Sequence, residues 1–562
     1  MNRATGMNKL VRYKSFLAGV CAALATGLSS GSVAMPSSQW PDGLRGAPQR
    51  IAAIRAFAEG IAQNDAEAID VGWQGKAGWD RAVAKAESSA AEAVDPYAFG
   101  LVLRTLYASY PSLHSRVDLR ADIDYRIAFG APYMPFTMKV EELGPDDKPR
   151  SVLISAVVST DAWLLSGALA VGDRVIAANG EPIATWLSRA TKACRRNSKW
   201  QCYDDFDKQF RNGLLGWDPR LPLHLGIIRD GKKSIITYTP EVAPERTIER
   251  SYASCGEDGS AYKGFMPVYQ GWNLCVFKSV EGPPTEIWRL KSFHYPTSAS
   301  IGSPREEVET FWNAHWSAVS PKIRSVIIDL SGNGGGDIPL AWYSLLFDRP
   351  YQEQYAQYRW LSSYDDPSVL NELPDDPAHA RWLADLVARN PDARHEVGSY
   401  LPPVPMFCSD EDAACEGRLV PPKSHGFTGK VALILDDNCV SSCSGFSWNI
   451  VTKLGSRAAA FGLPDSGDSN FMRLPLKLYY RDGGWYTAIG ASAVPDEKPI
   501  ATANVMVTRT TTDDGKIISG QSVSVRRVVA RRWDDSANSW AERVIGVIRN
   551  SLVGPEQSVQ AN

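Results

Sequence analysis

Three runs of apolar residues constrain the fold of this chain more than anything else in it: EIWRLKSF (Glu286–Phe293), SVIIDL (Ser325–Leu330) and VALILDD (Val431–Asp437). Each is too short for an ordinary helix and too continuously apolar for a strand with one face in water. Such runs suit strands of a largely parallel sheet covered on both faces. From about Gly271 onward they alternate with segments of helical character, the pattern of an α/β layer. Between SVIIDL and VALILDD, the stretch Asp348–Gly426 is rich in Pro and Asp and reads as a long excursion with one helix, ARWLADLVARN.

Chemistry-bearing residues sit at the ends of two of these strands. VALILDD runs into NCVSSC and then GFSWNIVTKL, a strand–turn–helix with Ser441 and Ser442 in the turn. A serine there is exposed, and the following helix N-terminus favours developing negative charge. The competing role for either serine is a helix N-cap. SVIIDL delivers Gly332, Gly334, Gly335 and Gly336 just ahead of another helical segment. Backbone amides in such a cluster approach a ligand closely and can point at an oxyanion. Nucleotide binding is the rival use, but no Gly-Lys-Ser/Thr follows and Asp337 breaks the dinucleotide spacing. A third element is His114, in LYASYPSLHSRVDL, among small polar residues. A lone histidine is more often structural than catalytic.

The 562 residues exceed one ordinary core. Lys9, Arg12 and Lys14 precede the apolar run Phe16–Leu28, and Ser32–Ala34 supplies a small-x-small cleavage pattern. This predicts a signal peptide over 1–34, with the mature chain periplasmic or secreted and without stable membrane insertion. The rival reading is a retained anchor, but the apolar run is short of the ~20 residues a span needs. Loss of the leader takes the formal charge from −3 to −7, which leaves no basic footprint for nucleic acid. Residues 35–133 read as a helical domain, with RIAAIRAFAEGIA, RAVAKAESSAAEA and AFGLVLRTLYASY at helical spacing. Residues 134–245 read as a strand-rich unit with turns at Asn179-Gly180 and Asp230-Gly231. Residues 246–552 form the α/β layer.

Eight cysteines remain after the leader, in near-neighbour pairs: Cys194/Cys202, Cys255/Cys275, Cys408/Cys415 and Cys439/Cys443. Even number, close pairing and export favour disulfides, with connectivity left open. A metal site is disfavoured, since neither a C-x-x-C pair nor an H-E-x-x-H helix occurs.

Taken together, these pieces resemble the tail-specific (carboxyl-terminal processing) serine peptidases, with their tricorn-like and interphotoreceptor retinoid-binding protein-like relatives. IIDLSGNGGG is similar to the family's DLRxNxGG signature, with Ser331 in place of arginine. NCVSSCSGF is similar to its nucleophile turn, with Ser444 where many members carry glutamate. PSLHS is similar to its histidine motif, EIWRLKSF to the strand opening the catalytic core, and ALAVGDRVIAANGEPI to the centre of a PDZ domain. The resemblance implies a multidomain α/β fold: helical domain, PDZ-like β domain and an α/β core of ClpP/crotonase type. It implies an exported endopeptidase without cofactor or metal, acting on peptide or protein substrates that the PDZ-like unit can present; an oligomer is compatible with it.

In that reading Ser441 is the nucleophile, and the amides of Ser442 and of Gly334 or Gly335 hold the oxyanion. The dyad lysine is missing: GLPDSGDSN (Gly462–Asn470) stands in its place, and Lys453 and Lys477 lie elsewhere. His114 is therefore the better base. Ser519 occupies the place of the tricorn-like glutamate, so Asp468 and Glu497 both stand as candidates for the third member. The alternative is a catalytically silent peptide-binding protein on the same scaffold.

Overall fold

The structure, a computed structural model, describes residues 39–553, apart from 142–150, 158–166, 243–261, 296–301, 362–387, 390–397, 406–418, 468–472, 490–497 and scattered runs of one to four residues. The leader, Cys255, Cys408, Cys415, Asp468 and Glu497 lie outside the described residues, as does most of ARWLADLVARN. No described helix is long and apolar enough to cross a membrane.

The three apolar runs lie in one seven-stranded sheet. Its order is Phe265–Gln270, Leu274–Ser279, Thr285–Leu290, Ser325–Asp329, Lys430–Leu435, Ala458–Gly462, Val525–Val528. The first three strands pair antiparallel; from Thr285–Leu290 onward all pairings are parallel. Ser325–Asp329 is buried at every position, because one face packs into a core with Trp288, Trp316 and Phe446 and the other into a core with Trp540 and Ile545. That double cover is why the runs read as continuously apolar.

The helices Ala47–Asn64, Gly75–Glu92 and Pro96–Ala108 form as their spacing predicts, with Asp95 capping the third through the Ala98 amide. They do not close a core of their own. Ile54, Phe57 and Leu103 pack with Leu474, Leu476 and Val505, from a sheet ordered Val117–Leu119, Ala501–Met506, Arg473–Arg481, Gly484–Ile489. The expected helical domain thus shares its core with strands that lie about four hundred positions later in the chain.

The strand-rich unit is a six-stranded sheet around its own core of Phe136, Val175, Trp186 and Phe210. Both expected turns carry positive φ at both residues, 47° and 79° at Asn179-Gly180 and 49° and 77° at Asp230-Gly231, the backbone that suits a two-residue hairpin. The interruption in this unit forms the helices Lys199–Asp204 and Phe206–Arg211. A disulfide, Cys194–Cys202, ties the first of them back toward Ile183–Lys192.

Of the four cysteine pairs expected from their spacing, two are complete among the described residues, Cys194–Cys202 and Cys439–Cys443. The expected Cys255/Cys275 pair is not. Cys275 is buried on the strand Leu274–Ser279 and is disulfide-bonded, but Cys255 lies outside the described residues, so the pairing itself stays an expectation. Both members of Cys408/Cys415 lie outside as well.

Candidate active site

Ser325–Asp329 and Lys430–Leu435 are adjacent and parallel, with Asp329 opposite Ile434. The loops leaving their carboxyl ends are therefore neighbours, in the position where open α/β sheets place their ligands. The glycine cluster follows the first strand and the serine turn the second.

Ser441 sits immediately ahead of the helix Ser442–Leu454 with φ 61° and ψ −131°, and its side chain does not cap that helix. Nor does its hydroxyl hydrogen-bond to any described residue. A non-glycine residue at positive φ is strained, and such strain collects at functional sites. The sharp turn lifts the hydroxyl clear of the helix, as a nucleophile elbow does. Cys439 and Cys443 bracket it in a disulfide, Cα to Cα 5.2 Å. Both cysteines are fully buried, so the covalent clasp is anchored in the core while Ser441 stays half-exposed.

Five hydrogen bonds hold the glycine loop in place, two of them to the segment of the serine turn. The buried Asn333 donates from Nδ2 to the Leu290 carbonyl (3.1 Å) and accepts from the Gly335 amide (2.9 Å). The Phe293 amide donates to Gly335 O (3.0 Å). The Gly332 amide donates to Asp436 (2.8 Å), and Ser442 Oγ to Gly336 O (3.1 Å). A Cβ on Gly335 would lie 2.6 Å from Val440 O and 2.8 Å from Ser441 Cβ, so only glycine permits this approach at φ 86°. The Gly335 amide, expected as an oxyanion donor, is instead committed to Asn333. Gly334 faces open space, and the Ser442 amide opens a helix whose first N–H groups lack intrahelical acceptors.

A guanidinium stands beside Ser331 after all. Arg289, from the neighbouring strand, pairs with buried Asp329 at 3.0 Å and donates to Ser331 Oγ at 2.5 Å. Asp329 also accepts from Ser331 and from Tyr262. The guanidinium beside Ser331 thus comes from the neighbouring strand.

Asp465, unremarked in the sequence, organises the ground beneath the turn. It is fully buried, accepts from Ser444 Oγ (2.6 Å) and Ser447 Oγ (3.1 Å) of the helix Ser442–Leu454, and from the Val523 amide (2.7 Å). Gln201, next to Cys202 on the strand-rich unit, donates to the Pro464 and Asp465 carbonyls. Ser466 donates to Cys439 O through both its amide and its hydroxyl. Burial pushes the Asp465 carboxyl up to about 6 against the opposing effect of these hydrogen bonds. The folded state then binds the proton more tightly than the unfolded chain. Its contribution to stability is complete below about pH 4 and lost as pH rises through about 6. Relative to Asp465→Asn, the protein is expected to lose roughly 2–3 kcal/mol between pH 4 and 7. Thermal melts of both proteins across that range measure it, and a pH-independent difference contradicts it.

His114 lies in a turn between Pro96–Ala108 and Val117–Leu119. Its carbonyl accepts from Arg473 Nη1 at 2.6 Å, but no hydrogen bond joins it to Ser441. The chain links the two: Ser466 holds the serine turn, and seven positions later Arg473 holds His114. Ser519 is buried and accepts from the Thr510 amide, a structural role. Lys453 lies in the last turn of the helix that begins beside Ser441, about 18 Å away along its axis at ~1.5 Å per residue.

The fold and this strand–loop–helix geometry define a multidomain α/β architecture with two adjacent loops at the carboxyl ends of neighbouring parallel strands. That architecture is the one seen in CPAF. The chain is similar to mature CPAF complexed with lactacystin at TM-score 0.57 and 16% identity, covering 90% of this chain and 98% of the other. A second structure of mature CPAF gives 0.56 and 13%, covering 89% and 97%. A serine-to-alanine mutant of CPAF gives 0.55 and 13%, covering 92% and 99%. No protein-family model and no curated protein matches the sequence.

Proposed function

We propose that the protein is an exported serine endopeptidase of the tail-specific type. The carrying observation is Ser441: a non-capping serine at positive φ, clasped by a disulfide and faced by a glycine loop that tolerates no side chain. The fold shared with mature CPAF, whose structures include a complex with lactacystin and a serine-to-alanine mutant, supports the same reading.

In this mechanism His114 takes the Ser441 proton as Oγ attacks the peptide carbonyl. The Ser442 and Gly334 amides receive the oxyanion, the histidine returns its proton to the leaving amine, and water resolves the acyl-enzyme. Asp468 and Glu497 are the candidates to orient the imidazole. The strand-rich unit acts as the PDZ-like domain, presenting an extended peptide by strand addition; its link to the site is Gln201 on the Asp465 loop.

The second reading, a silent peptide-binding protein, draws on the missing His114–Ser441 hydrogen bond. Catalytic hydrogen bonds are often long before substrate binds, so kinetics decide. His114→Ala is expected to lower kcat by roughly 10²–10⁴ with KM little changed, and Lys453→Ala to leave both near wild type. Full activity in His114→Ala with loss in Lys453→Ala would return the protein to a serine–lysine mechanism.

A further inference from the structure

A concavity lies away from the serine turn, between the N-terminal helices and the strand-rich unit. It is a cavity of about 410 Å³, within the ~300–1,000 Å³ of small-molecule sites. Two polar ties flank it. Gln74 donates to the Thr191 carbonyl at the start of Gly75–Glu92, and Arg220 pairs with Asp95 at 2.9 Å at the start of Pro96–Ala108.

Its lining divides by chemistry. Leu101, Val102 and Leu106 supply apolar wall from one helix, and Trp217 faces them from the other unit. Trp217 is buried, and its indole N–H has no acceptor among the described residues. Around this wall stand four cations, Arg81, Lys85, Arg189 and Lys192, against a single acid, Asp218. That acid is taken by Arg220 at 2.5 Å. Arg189 is paired with Glu181 at 2.6 Å, and Arg81 is held by Gln74.

Lys85 and Lys192 have no anionic partner among the described residues. Although Lys85 reaches water, desolvation and then the like charges of Arg189 and Lys192 hold its ammonium below the ordinary lysine range. Converging cations that repel one another over an apolar wall form a site short of one anion.

We infer that this cavity binds an anionic amphiphile: a carboxylate or phosphate head group between Lys85 and Lys192, with an alkyl chain against Leu101, Val102 and Trp217. The inference is independent of Ser441 chemistry. A ligand there would bridge the helices that carry His114 onward and the unit that carries Gln201.

Sodium decanoate, kept below its micelle concentration, is the probe, titrated by calorimetry into the full chain. One-to-one binding is expected, with decanol at least tenfold weaker and acetate silent. Each methylene added from hexanoate to decanoate should raise affinity roughly three- to fourfold. Decyl phosphate against decanoate distinguishes the two head groups. Lys85→Ala/Lys192→Ala, changes at the solvent-reaching rim, should weaken decanoate at least tenfold without moving Tm, and Leu101→Trp should occlude the site. No binding, equal binding of decanol, or binding unchanged in the double variant would overturn the inference.

Discussion

Replacing Ser441 by alanine is expected to remove peptide hydrolysis, by roughly 10⁴-fold or more in kcat, while leaving the protein folded. The rate loss follows from deleting the only atom that can form the acyl bond in the proposed mechanism. The fold should tolerate the change because the hydroxyl neither caps its helix nor hydrogen-bonds to any described residue. Alanine meets the same backbone strain at φ 61° as serine, so stability should change by less than about 0.5 kcal/mol. The neighbouring hydroxyl behaves differently. Ser442 Oγ donates to Gly336 O at 3.1 Å, so Ser442→Ala loosens the glycine loop and costs about 1 kcal/mol of stability with activity reduced rather than lost. Paired steady-state kinetics and melts of the two variants test this; loss of activity in Ser442→Ala with retention in Ser441→Ala would move the nucleophile by one residue.

The second large effect belongs to Gly335. A methyl at this position must be accommodated at φ 86°, and it would stand 2.6 Å from Val440 O and 2.8 Å from Ser441 Cβ. Ordinary contact begins near 3.5 Å, so the loop or the turn moves by most of an ångström. Displacement on that scale costs about 10²-fold in rate when reacting groups must be aligned. Strain and repacking together should lower stability by roughly 2–4 kcal/mol. Gly334→Ala is the control for stability, since its added Cβ meets nothing within 4 Å. Gly335→Ala indistinguishable from wild type in kcat/KM and in Tm would show that the close approach is not required.

What was legible in the sequence was whatever depends on neighbours along the chain. The run SVIIDL is apolar throughout because both faces of its strand are covered. Asn179-Gly180 and Asp230-Gly231 turn where they do because each residue tolerates positive φ. Cys439 and Cys443, four apart across a helix start, are within disulfide reach by local geometry alone.

What was not legible depends on residues distant in sequence. The N-terminal helices share their core with Arg473–Arg481 and Ala501–Met506, and nothing in RIAAIRAFAEGIA names that partner. Arg289 was within view in EIWRLKSF, yet only the parallel register of Thr285–Leu290 and Ser325–Asp329, with Arg289 opposite Asp329, brings its guanidinium to Ser331. Asp465 lies in GLPDSGDSN, a stretch notable for lacking a lysine; its role needs Ser444, Ser447 and Val523 gathered around one buried carboxyl. The Gly335 amide shows the limit of a glycine motif. Pattern marks a loop that approaches closely, but the direction of each N–H is set by Asn333 and the register of the turn.

The central claim is that Ser441 is an activated nucleophile, and covalent labelling tests it most directly. Incubation with a fluorophosphonate, followed by intact-protein mass spectrometry and peptide mapping, is expected to show one adduct per chain on Ser441. The adduct should be absent in Ser441→Ala and form at least a hundredfold more slowly in His114→Ala. An unmodified protein under conditions that label a control serine hydrolase, or an adduct mapped to another serine, would contradict it.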